Sequence, residues 1–492
     1  MTKMKRSSLT VNDQLTLNME DRSPFKRTFN FGFNTCHAPL AMRSDMQEQL
    51  ARAHAELGMR FWRAHGILSD DVGVVTRTST GRLEYTFSGL KRILDTALRC
   101  GVKPFLEISF MPAALARDEK KTITQYPLIT SPPKDWLEWK KLIDQLIHFL
   151  VETYGILELK RWYFEVWNEP NISFWAGTQD EYFKLYRVAA MALKRVDRDL
   201  RVGGPATARA EWVGDLLHFC RKTRTPIDFI STHIYPSDVA FLDSAHGNVQ
   251  LLGTDFLRDA FRKCRREIDA AGVKLPLIWG EWNSSAGPLH EEHDACNNAA
   301  LICSTLAGIE EFGDGSLYWN LSDIYEECGY HFKPFHGGYG MYTVDGVAKS
   351  AARAFGLWHG LEGDRIGVQG LPTTAARGAF ATRHRKSGAT GVMLWNHIEP
   401  GLKPSPWSIT LQMGPSRRRS ATVLSIEPQR GSAYETWLAL GKPLNLTPAQ
   451  QQRLEAASQL RSTTSAVDRN GQVHVTVPAG SATRISMITE SL

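Results

Sequence analysis

The sequence lacks any long apolar run. Its first forty residues begin MTKMKRSSLTVNDQLTLNMEDRSPFKR and contain no segment as hydrophobic as a secretion signal or a membrane span requires. We therefore expect no membrane association and predict a cytoplasmic location. The seven cysteines are scattered, with no CxxC pair and no Cys/His cluster at metal-ligand spacing. Reduced thiols and the absence of a metal site are the corresponding expectations.

Phosphate-binding loops and concentrated charge are also missing. Gly203-Gly204 is followed by proline and is interpreted as a strand-end turn, so no organic cofactor is expected. The net charge of +6 is spread along the chain, and its tightest cluster, Arg417–Arg419, follows Gly-Pro-Ser in a predicted turn. This weak basic balance is the only feature in favour of a nucleic-acid partner, and none is predicted.

What is present is a long chain of ordinary composition. Its 492 residues are 42% hydrophobic and 22% charged, which is typical of globular proteins and fits a barrel of about 300 residues plus a smaller domain. Between residues 29 and 361, eight short apolar runs alternate with helical patterns, which predicts an α/β fold, the (β/α)8 TIM barrel. These runs cover residues 29–39, 59–66, 102–112, 160–170, 201–208, 228–236, 275–285 and 315–323.

The remainder of the chain has a different pattern. From residue 362 to 492, short apolar runs separated by Gly, Pro and Ser predict an additional C-terminal β-sandwich domain with one short helix at PAQQQRLEAAS. Residues 1–28 include the alternating stretch SLTVNDQLTLNM and are expected to add a strand to this sandwich. Because the linker is short, we expect the two domains to pack together.

Polar residues gather where the barrel strands end, which is where barrels of this class build their active sites. Alternation along the strands then places Arg63, Glu107 and Glu165 one layer below these ends, where we expect them to pair or to support the catalytic groups. A buried ion network without a chemical role remains the alternative. The strand-end residues are His65, Asn168, Glu169, His233, Tyr235, Glu281, Asn283 and Trp319.

Glu169 and Glu281 end strands four and seven, on roughly opposite sides of the predicted barrel mouth. Glycosidic hydrolysis requires such a pair, one carboxylic acid and one carboxylate. An Asn-Glu-Pro tripeptide alone is also a plausible turn, and the second glutamate at the same level is what favours chemistry. Aromatic rings that could stack on sugars surround both positions: Trp167, Trp175, Trp279, Trp282 and Trp319.

Seven stretches resemble, in order and spacing, the strand-end motifs of glycoside hydrolase family 39, best known for β-xylosidases and α-L-iduronidases: RAHGILSDD, EISFMPAAL, WYFEVWNEPN, STHIYPSDV, GEWNSS, YWNLSDIYEE and FHGGYGMYTVDGVAKSAARAF. The resemblance covers the whole barrel. The stretches AYETWLALGKP and VTVPAGSATRISMI resemble the β-sandwich region of the xylosidase branch.

The resemblance implies a retaining mechanism in which Glu169 is the general acid/base and Glu281 the nucleophile. Asn168 would bond the sugar 2-hydroxyl. Arg63 and Tyr235 would keep Glu281 ionised, and Glu165 and Asn283 are further supporting residues. The implied sugar-binding set also contains His65, His233, Tyr235, Trp319, Glu326 and Glu327, with Phe110 and Phe174 as contacts or packing residues.

One departure from the family pattern bears on the sugar. The nucleophile motif is GEWNSSA, without the tyrosine that often follows in the xylosidases, so one wall of the subsite is left undefined. Paired acids at Glu326 and Glu327, with Lys333 as the nearby cation, would repel a uronic acid and favour neutral pentosides.

We therefore predict a retaining exo-glycosidase that hydrolyses terminal β-D-xylosides of xylo-oligosaccharides. Segments 113–133, 237–252 and 324–347 would wall the barrel mouth into a pocket. The open alternatives are an α-L-arabinosidase, a β-glucosidase, an α-L-iduronidase, an endo-acting polysaccharide hydrolase, or a non-catalytic sugar-binding protein. The expected partner is a small oligosaccharide or glycoside, and a homo-oligomer is left open.

Overall fold

The computed structural model describes residues 13–238, 251–327, 329–414 and 420–488, and it contains a closed barrel of eight parallel strands. Each predicted run contains one barrel strand, and neighbours in the barrel follow chain order. The (β/α)8 prediction is thus confirmed. The strands are Gly32–His37, Phe61–His65, Lys103–Ile108, Tyr163–Val166, Arg201–Thr207, Phe229–His233, Leu277–Glu281 and Gly315–Tyr318.

A helix follows every barrel strand and covers the outside of the barrel. The second of them shows why: Leu90, Ile93, Leu94 and Ala97 are buried at helical spacing, and the opposite face is charged. The helices are Ser44–Leu57, Ser88–Arg99, Trp136–Tyr154, Gln179–Val196, Val213–Thr223, Thr254–Ala270, Asn297–Phe312 and Ser350–His359, with a short helix Ile156–Leu159 after the third.

The barrel interior is layered. Apolar side chains close the end at which the strands begin, and they form one cluster of Phe31, Phe61, Phe105, Phe229, Ile278 and Leu317. The charged side chains of Arg63, Glu107 and Glu165 follow one layer higher, and all three are fully buried. Since the base of the barrel is filled, a ligand can enter only from the end where the strands finish.

A second, mostly antiparallel sheet of nine strands fits the predicted sandwich. Strand Asp13–Ser23 lies in this sheet, antiparallel to Asp364–Gln369 and parallel to Trp407–Gln412. In spatial order the sheet contains Ser462–Ala466, Ser420–Ile426, Ser481–Ile488, Ala389–Asn396, Arg377–Arg383, Asp364–Gln369, Asp13–Ser23, Trp407–Gln412 and Gln472–Val477.

The second domain contains a helix that the sequence did not predict. Besides the expected Pro448–Ser458, the chain forms Tyr434–Ala439, which buries Tyr434 and Trp437. Six residues are too few to show a helical period, which explains the omission. The predicted boundary at residue 361 falls between the last barrel helix and strand Asp364–Gln369.

The two domains pack together through the helix Asn297–Phe312. Ser304 Oγ donates a hydrogen bond of 2.7 Å to the carbonyl of Ala375, and Ile398 N donates one of 2.8 Å to Asn297 Oδ1. Across the described ranges, no helix combines the length and apolarity needed to cross a membrane. The predicted turn at Arg417–Arg419 and most of segment 237–252 lie outside the described residues.

Candidate active site

Glu169 reaches the barrel mouth through an unusual strand end. Strand four stops at Val166, and both Trp167 and Glu169 then adopt left-handed backbone conformations, with φ of 73° and 43°. The Glu169 N–H donates a hydrogen bond of 2.8 Å to the carbonyl of Ala206 on strand five. This turn directs the Glu169 side chain into the mouth, and Pro170 prevents the strand from continuing.

Glu281, the last residue of strand seven, faces Glu169 across a single imidazole ring. His233 Nδ1 lies 3.0 Å from Glu169 Oε1 and 3.6 Å from Glu281 Oε2. One oxygen of each carboxyl group and one ring nitrogen all lie within 4.8 Å of one another. Carboxyl groups about 5 to 5.5 Å apart suit direct nucleophilic attack, whereas about 6.5 to 9.5 Å is needed to admit a water molecule between acid and sugar.

The Glu281 carboxylate is held by donors on both oxygens. Arg63 Nη1 donates to Oε1 over 2.7 Å, and the Tyr235 hydroxyl donates to Oε2 over 3.1 Å. Burial raises the pKa of Glu281, and the positive charge of Arg63 opposes that rise. Both hydrogen bonds favour the ionised carboxylate and fix its orientation.

Arg63 joins the carboxylates beneath the mouth. It is fully buried, and its Nε donates to Glu165 Oε2 over 2.6 Å. Its Nη2 lies 2.7 Å from Glu107 Oε2 and donates to Asn168 Oδ1 over 2.9 Å. The pairing expected from the sequence is therefore present, and it extends to both a glutamate and an asparagine of the mouth.

Glu169 has a different environment from Glu281. Burial raises the pKa of Glu169 to about 7, although His65 and Arg63 oppose the shift. Its neighbour His233 is itself buried, which lowers the pKa of the imidazole to about 3. Because a neutral ring contacts Glu169 while a guanidinium contacts Glu281, the proton resides more readily on Glu169.

His65 supplies a positive charge at the cavity wall. Burial opposes protonation of His65, but Glu107 and Glu281 outweigh it and raise the pKa of the imidazole to about 9. Its Nδ1 lies 2.8 Å from Glu107 Oε2, and its Nε2 lies 3.7 Å from both Glu281 Oε1 and Glu327 Oε1. The ring is therefore fixed by Glu107 and presents Nε2 towards the other two carboxylates.

These groups line a cavity of about 370 Å³ at the mouth of the barrel. Besides both catalytic candidates, the predicted residues in its wall are His65, Asn168, Phe174, Tyr235, Trp319 and Glu327. Its wall also contains residues that the sequence did not single out: Ile172, Ser173, Ala208, Arg209, Asp238, Ala286 and Tyr339. Arg209 lies in the loop after strand five, which ends at Thr207, so its nearness to a strand end was a signal that could have found it.

Other predicted residues lie behind the cavity wall. Arg63, Glu165 and His233 are fully buried beneath it. Phe110 packs edge-on against Trp167, with 5.1 Å between ring centroids. Asn283 Nδ2 donates to the carbonyl of Trp319 over 2.5 Å, which fixes the end of strand eight.

Glu326 also points away from the cavity, unlike its neighbour Glu327. Glu326 Oε1 lies 2.8 Å from His37 Nδ1, and its other oxygen accepts a hydrogen bond from Tyr330. The Tyr325 hydroxyl donates to Glu327 Oε2 over 2.7 Å, and this leaves Oε1 on the side of His65. Only the second acid of the pair is thus among the cavity-lining residues of the described chain.

Comparison with known proteins finds relatives over most of the chain. The chain is 38% identical to a β-xylosidase of Caldicellulosiruptor saccharolyticus over 468 residues, covering 90% of this chain and 93% of that protein. A β-xylosidase of Geobacillus stearothermophilus is 33% identical over 436 residues, covering 86% and 84% of the two chains. The crystal structure of a monomeric β-xylosidase from Caulobacter crescentus CB15 superposes with a TM-score of 0.87 at 29% identity, covering 97% of this chain and 100% of that one. The model of glycosyl hydrolases family 39 matches residues 15–474, and the chain therefore belongs to this family.

Proposed function

We propose that this family 39 glycosyl hydrolase is a retaining exo-β-xylosidase, which removes terminal xylosyl units from xylo-oligosaccharides with Glu169 as acid/base and Glu281 as nucleophile. The observation that carries the proposal is the distance within 4.8 Å between oxygens of these two buried carboxyl groups. It falls short of the separation that inversion requires and suits a covalent intermediate. Two relatives described as β-xylosidases support the choice of sugar.

In the first step, an oxygen of Glu281 forms a bond to the anomeric carbon while the bond to the leaving oxygen breaks. The proton of Glu169 passes to that oxygen, so the leaving group departs as a neutral alcohol. Asn168 supports this step, because Arg63 occupies its Oδ1 and leaves its NH2 group to bind the sugar 2-hydroxyl. Hydrogen bonds to the 2-hydroxyl strengthen in the transition state of glycoside hydrolysis.

In the second step, water releases the sugar. Esterification removes the charge of Glu281, and since the two carboxylates disfavour each other's ionisation, Glu169 then loses its proton more easily. Glu169 takes a proton from water, the hydroxyl attacks the anomeric carbon from the side that the leaving group vacated, and the bond to Glu281 breaks. Two inversions at the same carbon give net retention.

The charges in the cavity favour a neutral terminal sugar. Glu327 lines the wall with its side chain 12% exposed, and burial raises its pKa while His65 opposes the shift. A carboxylate at this place accepts hydrogen bonds from sugar hydroxyls but repels a uronic acid. The cytoplasmic location remains a prediction from the sequence, which leaves open whether the protein forms a homo-oligomer.

The experiment is covalent trapping with a 2-fluoro-xyloside that carries an activated leaving group, followed by mass mapping. We expect one added 2-fluoroxylosyl mass on the peptide that contains Glu281, and no label on the matched variant Glu281→Gln. Parallel 2-fluoro-glucoside and 2-fluoro-arabinoside probes separate the other specificities. Absence of label under conditions in which the wild type hydrolyses aryl xylosides would refute the double displacement, and absence of any hydrolysis would support a non-catalytic sugar-binding protein.

A further inference from the structure

The two glutamates divide the barrel mouth into two halves. In barrel order, strands five and six lie on one side of the line from strand four to strand seven, and strands eight, one, two and three lie on the other. His65 ends strand two and Glu327 lies after strand eight, whereas Arg209 and Asp238 lie after strands five and six. The cavity wall thus has two halves, which are formed by the ends of different strands.

The half that contains strands eight to three suits the terminal sugar. His65 Nε2 lies 3.7 Å from both the Glu281 nucleophile and Glu327, and these buried groups can hold the hydroxyls of one enclosed unit. The acid Glu169 must face the oxygen that departs with the leaving group. The leaving group therefore extends towards the other half, where Arg209 lines the cavity.

Arg209 is presented by a backbone that few residues adopt. Ala206, Arg209, Ala210 and Trp212 all have positive φ, with values between 53° and 61°. Left-handed conformations at non-glycine residues cost about 1 kcal/mol each and persist only where surrounding contacts hold them. The loop after strand five is therefore held in place rather than shaped by its own preferences.

The residue that holds this loop is Asn171, two positions after the acid Glu169. Its Oδ1 accepts a hydrogen bond of 2.9 Å from the Ala208 N–H, and its Nδ2 donates over 2.9 Å to the Ala208 carbonyl. The same Nδ2 donates to Glu211 Oε2, also over 2.9 Å. These contacts join the loop that carries Arg209 to the strand end that carries the acid.

The guanidinium of Arg209 has N–H groups that remain available as hydrogen-bond donors. Its Nε lies 3.2 Å from Glu211 Oε1, and its side chain is 22% exposed. This Nε makes no hydrogen bond within the described residues. Because an arginine carries five N–H donors in a fixed fork, most of them are available to acceptors in the cavity.

From this geometry we infer that Arg209 is a specificity-determining residue, whose guanidinium donates hydrogen bonds to hydroxyl oxygens of the sugar that leaves. The inference rests on the proposed function and adds a substrate class to it. Xylosides whose leaving group is a second sugar benefit from Arg209, and xylosides with a leaving group too small to reach it do not. Asn171 and Glu211 act on the leaving group only through the position of Arg209.

Two substrates separate this role from a structural one: xylobiose, whose leaving group is a xylose, and β-xylosyl fluoride, whose leaving group is a single atom. For Arg209→Ala, we expect kcat/KM for xylobiose to fall roughly tenfold, as for a lost charged hydrogen bond, and kcat/KM for the fluoride to fall less than about twofold. For Arg209→Lys, we expect kcat/KM for xylobiose to lie between the values for Arg209→Ala and the wild type, because lysine keeps the charge but lacks the forked arrangement of donors. Equal losses on both substrates, or no loss on xylobiose, would overturn the inference.

A matched control is Arg224→Ala. Arg224 is also a left-handed arginine, with φ of 54°, but it is exposed and ends the helix before strand six, at the opposite end of the barrel. We expect kcat/KM of this variant to equal that of the wild type for both xylobiose and β-xylosyl fluoride. A wild type inactive on both would refute the proposed function itself, which distinguishes that failure from one confined to Arg209.

Acceptor-dependent reactivation provides a second readout on the same variants. The trapped 2-fluoroxylosyl enzyme can transfer its sugar to water or to an added xyloside, and only the added sugar occupies the leaving-group half. We expect benzyl xyloside to accelerate reactivation of the wild type, and Arg209→Ala to lose most of this acceleration while its rate in buffer stays within about twofold. Undiminished acceleration in the variant would contradict the assignment.

Discussion

Arg63 Nη1 lies 2.7 Å from Glu281 Oε1 at the centre of the barrel mouth. The same guanidinium contacts Glu107 and Glu165 over 2.7 and 2.6 Å, so one cation serves three buried carboxylates. Burial opposes the charge on Arg63, but these carboxylates outweigh it and raise the pKa of the guanidinium. The orientation of the Glu281 carboxylate therefore depends on a residue that does not itself line the cavity.

Replacing Arg63 should cost both stability and activity. Arg63→Met keeps much of the side-chain volume but leaves three buried carboxylates without their cation, and we expect unfolding to become easier by about 3 to 5 kcal/mol. Urea titration measures this loss, and Arg77→Ala is the control, since its partly exposed pair with Glu138 should contribute about 1 kcal/mol or less. Equal midpoints for both variants would show that the buried network contributes no stability.

The pH dependence of kcat/KM should identify the acid. As the proposed acid, Glu169 must be protonated to act, and burial raises its pKa to about 7, so we expect activity to decline as the pH rises through about 7. The decline towards acidic pH follows protonation of Glu281, whose pKa burial also raises. Glu169→Gln assayed with a dinitrophenyl xyloside should lose the basic limb and keep the acidic one, and a basic limb that persists in this variant would assign it to another group.

Glu169→Ala should distinguish substrates by their leaving groups. Without the acid, xylobiose should lose at least about a thousandfold in kcat/KM, while a dinitrophenyl xyloside, whose leaving group needs no proton, should lose far less. Azide should restore turnover and give β-xylosyl azide, because it attacks the glycosyl enzyme in the place of water. The control Glu281→Ala should give the α-azide instead, since azide then replaces the nucleophile, and identical anomers would contradict the two roles.

The sequence predicted what depends on strand periodicity. Alternation and strand order correctly place Glu169 and Glu281 at one end of the barrel, and Arg63 was placed beneath them because it lies two residues before a strand end. The positions of loop residues were harder to predict. Arg209 occupies the cavity wall because Asn171 holds a left-handed backbone there, and hydrogen bonds between distant loops leave no periodic signal.

The adjacent residues Glu326 and Glu327 show the same limit of prediction from sequence. Both were predicted to bind the sugar. Glu326 is instead engaged by His37 over 2.8 Å, a contact that depends on where the loop after strand eight meets strand one. Glu327 lines the cavity. Side-chain direction in a loop is set by such tertiary contacts, and the sequence pattern could not assign it.

The two acids can be separated by changing each to its isosteric amide. Glu327→Gln removes the charge that we propose accepts hydrogen bonds from the sugar, and we expect kcat/KM for aryl xylosides to fall between about tenfold and a hundredfold. Glu326→Gln should change it by less than about threefold, because its partners are His37 and Tyr330 rather than the substrate. Because the two residues are adjacent and the substitutions are identical, a general disturbance of the loop would lower kcat/KM equally in both variants. Comparable losses in the two would return Glu326 to the sugar-binding set that the sequence predicted.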